Sequence, residues 1–313
     1  MVLRMPGSTG HSCDEFAVGS KNALVLEGGG YRGVYTAGVL DVLMENGIWD
    51  FASVWGTSAG ALNAASYKSR QVGRTIRIML AFRDDKRLMS LRSLARTGSL
   101  AGGDFLYGMV QQELDPSDDR TFNANPLRMF ACASDVVFGA SAYLECRTFP
   151  QDVEKVKASA SMPMVSPMVE IEGHRYLDGG TTDSVPVEAA LGMDGANPPQ
   201  DYVPARRALV VLTRDRAYQK GNANEMLAVR SHRYDEYPYY VQALETRAER
   251  YMAQRETIWS LEREGRALVI APERPVEVAV AEHQGAPLLD LYQQGRQQTA
   301  ARLGEIRSFL AAD

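Results

Sequence analysis

The sequence predicts an α/β fold with a mostly parallel sheet, followed by a mostly helical extension. Two observations carry this. The first 70 residues alternate strand, glycine loop, helix, strand, tight turn and helix, the signature of a parallel sheet. After Asp215 the composition shifts toward charged and Gln residues with helical spacing. The resulting division is a flexible tail over 1–22, an α/β unit over 23–215, and an extension over 216–313 packed on it.

The tail MVLRMPGSTGHSCDEFAVGSKN carries Gly, Ser and Pro and lacks the apolar core of a signal peptide. Residues 23–26 form a short apolar run that ends in Glu27 and three glycines, as a buried strand does. From Val34 the period changes: Tyr35, Val39, Val42 and Leu43 lie on one helix face, and Asn46-Gly47 stops the helix. A second apolar run, 51–55, reads as a strand, and the small residues of 59–67 suit a helix. Further strands are expected over 128–133, 142–145 and 208–212, with a hairpin over 170–177. Residues 194–206 read as a Pro- and Gly-rich loop. The charged stretch 83–119 reads as a surface helix pair, with a mobile cap over a pocket as the alternative. In the extension Val241, Leu244, Ala248 and Tyr251 share a helix face, and Thr299, Leu303, Ile306 and Leu310 share another. A strand over 267–271 separates them. Tyr234, Tyr237, Tyr239 and Tyr240 are expected to pack between core and extension.

Composition narrows the function classes. The 313 residues are 45% apolar and 23% charged, which suits a folded core and excludes a wholly disordered or collagen-like chain. The net charge of -5 argues against a nucleic-acid partner. No apolar run approaches the ~18 residues of a membrane span. Cys13, Cys132 and Cys146 have neither disulfide nor zinc spacing; Cys132 and Cys146 read as buried thiols, and a reducing, cytoplasmic home fits best. Asp84, Asp85, Asp115, Asp118 and Asp119 lack the spacing of a calcium loop and read as solvated turns, so no metal is expected. Arg70, Arg74, Arg77, Arg83, Lys86, Arg87 and Arg92 read as a solvated helix face, with transient contact to anionic headgroups at a membrane surface as the alternative.

Three glycine motifs carry the chemistry. Gly56-Thr57-Ser58-Ala59-Gly60, between a strand and a helix, fits a nucleophile elbow. Ser58 stands at the sharp turn, and the following helix points its first N–H groups at the developing charge. Gly28-Gly29-Gly30-Tyr31-Arg32-Gly33 has two readings. A dinucleotide fingerprint wants an acidic residue at the end of the second strand, but Asp50 precedes that strand. An oxyanion hole built from successive glycine N–H groups, with the Arg32 charge nearby and the Ala59 N–H, fits better. Asp178-Gly179-Gly180 is the third motif. His11, His174, His232 and His283 lie outside all three, which makes Asp178 the better base for Ser58.

The order GGGYRG, GTSAG and DGG resembles the patatin-like phospholipase family over roughly residues 23–215. That resemblance implies a three-layer α/β/α hydrolase with a Ser58–Asp178 dyad and no catalytic histidine. It places Gly28, Gly29, Gly30, Arg32 and Ala59 around the oxyanion, with Gly33, Gly56, Gly60, Gly179 and Gly180 as motif glycines. The stretch 158–163 also looks like the family's pattern, except that Met164 and Val165 follow Pro163 where the family often has Pro-Gly. The implied function is cleavage of a lipid ester through an acyl-enzyme, without metal or organic cofactor. A lipid-binding or regulatory protein with little turnover is the alternative, against which the intact motifs weigh. The substrate and the oligomeric state are not legible in the sequence.

Overall fold

The computed structural model describes residues 21–85, 104–280 and 282–312. Its centre is one eight-stranded sheet. The first strands are β1 (Asn22–Leu26), β2 (Ser53–Thr57), β3 (Arg128–Asp135) and β4 (Ala140–Glu145). They are followed by β5 (Val169–Ile171), β6 (His174–Asp178), β7 (Arg207–Val211) and β8 (Ala267–Ile270). The order is β5-β6-β3-β2-β1-β7-β8, with β4 on the other edge of β3. The pairs β1–β2, β2–β3, β1–β7 and β7–β8 are parallel, while β4, β5 and β6 run antiparallel to their neighbours.

Apolar side chains cover both faces of this sheet. Leu24 and Leu26 of β1 pack into one hydrophobic cluster, Ala23 and Val25 into another. Strands buried on both faces read as unbroken apolar runs, which is why 23–26, 208–212 and 267–271 stand out in the sequence. Helix α1 (Gly33–Glu45) and helix α2 (Ala59–Lys68) follow β1 and β2 and cover one face, while helices Val187–Ala190 and Arg247–Arg263 cover the other, completing the layered α/β/α arrangement. The hairpin β5–β6 turns at Glu172-Gly173, both at positive φ.

Register brings the third motif to the second. Thr57 at the end of β2 pairs with Cys132, and Asp178 at the end of β6 pairs with Ala133. Because β4 takes the opposite edge of β3 from Phe130 to Asp135, β2 and β6 share the remaining edge end to end. The residue after Thr57 therefore meets Asp178.

The C-terminal region is helical and also contributes β8 to the sheet beside β7. Helix Gly285–Ala301 lies against α1 so closely that a Cβ at Gly295 would collide with the Tyr35 carbonyl, and one at Gly38 with that of Tyr292. The two expected helix faces exist, but each is cut by a one-residue break. Thr246 separates helix Pro238–Glu245 from Arg247–Arg263, and Arg302 separates Gly285–Ala301 from Leu303–Ala311. Apolar period is insensitive to a break that preserves the buried side. Among the described residues no helix is long and apolar enough to cross a membrane.

Residues 1–20, with His11 and Cys13, and residues 86–103, about half of the stretch 83–119 read as a helix pair or cap, lie outside the described residues. Within the described part, Asp104–Leu114 is a π-helix. Asp115 pairs with Arg74 and Arg77, and Asp118 caps helix Asp119–Ala124 by accepting from the Thr121 N–H.

Candidate active site

Ser58 stands between β2 and α2 with φ 56 and ψ -120, a backbone region that L-residues rarely occupy. Three contacts hold it there. Its N–H donates to the Ser159 hydroxyl at 2.9 Å, and Ser159 donates to the Cys132 carbonyl within β3. Its carbonyl accepts from the Ala61 N–H at 2.9 Å. Gly60, in the first turn of α2, lies against the Leu26 carbonyl so closely that no Cβ fits, which lets α2 start directly over β1. Gly56 closes β2 just ahead of the turn.

The Ser58 side chain lies beside the Asp178 carboxylate and favours its ionised form. Both residues are buried, at 8% and 6% exposure. Burial pushes the Asp178 carboxyl up from its usual value, against the downward pull of the Ser58 hydroxyl, the Gly180 N–H and the Arg247 charge. The Gly180 N–H donates to Asp178 Oδ1 at 2.8 Å, and Gly179 and Gly180 form a single helical turn after it. The Asp178 backbone is pinned by its own N–H donating to the Ser161 carbonyl at 2.7 Å. A carboxylate so held, desolvated yet still hydrogen-bonded, is a stronger base than an exposed one.

The glycine loop supplies donors, with one correction. The Gly28 N–H donates to the Ser184 carbonyl at 3.2 Å, so it is committed and leaves the set of oxyanion donors. The N–H groups of Gly29, Gly30 and Ala59 have no acceptor among the described residues. The Arg32 N–H donates to the Gly29 carbonyl at 3.2 Å, so only its side chain remains for the site. Gly33 begins α1 against Ala59. Behind the loop, buried Glu27 accepts from the Thr213 N–H and hydroxyl and from the Tyr251 hydroxyl.

The histidines are elsewhere. His174 Nδ1 lies 2.7 Å from Asp135 Oδ2 and is half exposed. It is also four residues from Asp178 along β6, about 13 Å at strand spacing. His232 pairs with Asp235 and His283 with Asp84, both on the surface.

Sequence reasoning missed several supporting residues. Ser159 lies within the stretch 158–163 noted for its pattern, a signal that was present but without an assigned role. Glu27 ends the first apolar run, and only the fold shows it joined to Tyr251. Met164, where the family often has Gly, takes φ 67 and is held by its N–H donating to the Tyr234 hydroxyl at 2.8 Å. Of the four tyrosines, Tyr234 and Tyr240 are buried, whereas Tyr239 is exposed. Among the described residues no group of three or more His, Cys, Asp or Glu is placed to hold a metal ion.

The patatin-like phospholipase family matches residues 24–191, more than half of the chain. A domain of unknown function (DUF6363) matches residues 237–311. The uncharacterized protein YjjU of Escherichia coli strain K12 is 32% identical over 173 residues, covering 54% of this chain and 48% of that protein. The matched region thus spans about half the length of this curated relative. Among solved structures, VipD from Legionella pneumophila aligns with a TM-score of 0.44 and 14% identity over 93% of this chain and 68% of that one.

Proposed function

The chain belongs to the patatin-like phospholipase family, and on that footing we propose that it is a serine acyl hydrolase cleaving fatty-acyl esters of lipids. The observation that carries the reading is Ser58, held in an elbow backbone beside the buried Asp178 carboxylate, on whose ionisation its side chain acts.

Ser58 Oγ attacks the ester carbonyl carbon while its proton passes to Asp178. The carbonyl oxygen becomes an oxyanion that accepts from the N–H groups of Gly29, Gly30 and Ala59, with the Arg32 charge favouring the negative state. As the intermediate collapses, Asp178 returns the proton to the departing alkoxide, and the alcohol leaves. Asp178 then takes a proton from water, whose oxygen attacks the acyl-enzyme. The fatty acid departs, and Ser58 recovers its proton. Each step uses one carboxylate as base and then as acid, so no histidine is required. The substrate is drawn from a membrane surface by transient contact, in the cytoplasm.

A fluorophosphonate probe tests this directly. It should label the protein once, at Ser58, with peptide mass spectrometry locating the adduct and Ser58→Ala abolishing it. A folded protein that takes no label and hydrolyses no short-chain p-nitrophenyl ester would defeat the reading.

A further inference from the structure

The C-terminal region delivers one apolar side chain to the glycine loop. Residues 271–280 leave β8 at the same end of the sheet where β1 and β2 give way to the glycine loop and the elbow. Val276 and Val278 are buried in the same hydrophobic cluster as Leu24 and Leu26. Arg214 Nη1 donates to the Val276 carbonyl at 2.7 Å and ties the segment to the chain after β7. Val280 then lies on the loop itself. Its carbonyl accepts from the Tyr31 N–H at 3.1 Å. Gly30 takes φ 57, and a Cβ there would lie 2.5 Å from the Val280 carbonyl oxygen and 2.9 Å from Val280 Cγ1. The Val280 side chain therefore packs directly on the glycine. Unlike Val276 and Val278 it remains 40% exposed, so part of its apolar surface is left open beside the loop.

Sheet order decides which side of the reaction this surface serves. The strands run β6, β3, β2, β1, β7, β8. Asp178, at the end of β6, and the segment after β8 thus stand on opposite sides of Ser58 and the glycine loop. In the proposed reaction the leaving oxygen faces Asp178, which returns its proton, and the carbonyl oxygen faces the N–H groups of Gly29, Gly30 and Ala59. The acyl chain takes the remaining direction, away from Asp178 and toward β8. A methyl group packed on Gly30, itself a donor to the oxyanion, meets that chain within its first few carbons. The wall is pinned on one side by buried Val276 and Val278 and on the other by helix Gly285–Ala301, which docks on α1. Such a wall accepts a row of methylenes and collides with a branch.

We propose that Val280 forms the acyl-side wall of the Ser58 site and selects straight acyl chains over chains branched beside the carbonyl. This gives the domain matched over residues 237–311 a direct part in choosing the substrate. The choice of an ester rests on the hydrolase reading; the wall itself rests on the contact of Val280 with Gly30.

The test uses the full chain and two isomeric acyl groups. p-Nitrophenyl octanoate and p-nitrophenyl 2-propylpentanoate differ only in where the chain branches. The ratio of their kcat/KM values cancels the amount of active protein, and comparing that ratio between variants cancels the intrinsic reactivity of the esters. Val280→Ala should lower the straight-over-branched ratio by about tenfold or more, the scale of a methyl group or two in an apolar pocket. The change should come from faster turnover of the branched ester, which a merely loosened fold would not give. Val280→Thr keeps the shape of the side chain and should keep the ratio. Val203→Ala, at an exposed position in the loop 194–206, should also leave it unchanged. Two octanoates that differ in the alcohol should keep their own ratio in every variant. Where no ester turns over, calorimetric titration of Ser58→Ala protein with octanoate and with 2-propylpentanoate decides. Tighter binding of the straight acid, lost when Val280→Ala is added, upholds the wall, and the hydrolase reading alone fails. The proposal is overturned if wild type and Val280→Ala share one straight-over-branched ratio, or if the alcohol ratio moves instead. Without turnover, it is overturned if the two acids bind equally or not at all.

Discussion

Replacing Ser58 by Gly should leave the protein inactive yet more stable than Ser58→Ala. The reason lies in the backbone, since φ 56 and ψ -120 strain any residue with a Cβ. Such strain is worth about 1–3 kcal/mol, and Gly removes it. Two losses oppose the gain. Gly adds unfolded-chain freedom, about 0.5–1 kcal/mol, and removes one buried methyl group, about 0.8 kcal/mol. Taking about 2 kcal/mol for the strain, the balance favours Gly by about 0.5 kcal/mol. Both variants lose the hydroxyl beside Asp178, so that term cancels between them. Ala61, buried in the regular part of α2, is the control: Ala61→Gly should lose about 1.5 kcal/mol from the same two terms without any strain to relieve. The measurement is urea denaturation of the four proteins, wild type included, with ester hydrolysis assayed alongside. The reasoning fails if Ser58→Gly is less stable than Ser58→Ala by as much as Ala61→Gly is below wild type. In that case the elbow is not strained.

Asp178→Asn should lower kcat by roughly 10³-fold or more while His174→Gln keeps at least about a tenth of wild-type kcat/KM, by comparison with disabling the base of a triad. A dead, folded His174→Gln beside an active Asp178→Asn would assign the base to the histidine. The acid limb of kcat/KM should have its midpoint above about 3.9, the ordinary aspartate value, because burial raises Asp178 and only its ionised form accepts the Ser58 proton. Activity therefore rises with pH through that raised value, and full activity at pH 4 would contradict the buried-base assignment. Gly295→Leu should destabilise the protein by about 3 kcal/mol or more, since the new side chain must push α1 off helix Gly285–Ala301; an unchanged thermal melt would mean that the two helices are not in close contact.

The sheet was legible because its inner strands are buried on both faces, so 23–26 and 208–212 needed only a count of apolar neighbours. The elbow was legible because Gly60 has no room for a side chain against Leu26, a constraint that writes itself into the sequence as glycine. Partnerships were not legible. Nothing in the local pattern joins Glu27 to Tyr251 or Ser159 to Ser58, for these depend on which strand ends lie side by side. Gly28 illustrates the limit from the other direction. Three consecutive glycines look equivalent as N–H donors, but the chain passing Ser184 takes up one of them. Met164 shows that a left-handed position does not always carry its usual residue, because a hydrogen bond to Tyr234 helps to fix the backbone there.

The C-terminal region acts on the site through several distant contacts, each joining a side chain to a loop in or near the motifs. Tyr251 holds Glu27 beneath the glycine loop, and Tyr240 meets the Thr181 hydroxyl at 3.2 Å in the turn after Asp178. Arg250 donates to the Thr181 carbonyl at 3.0 Å, and Tyr234 takes the Met164 N–H. Arg247 adds charge to this mechanical support. Burial alone would push Asp178 toward its neutral form, which cannot accept a proton, whereas Arg247 pulls it back toward the carboxylate. The basicity available to Ser58 is thus a balance between the core, which desolvates Asp178, and a helix more than sixty residues further along the chain, which supplies the opposing charge.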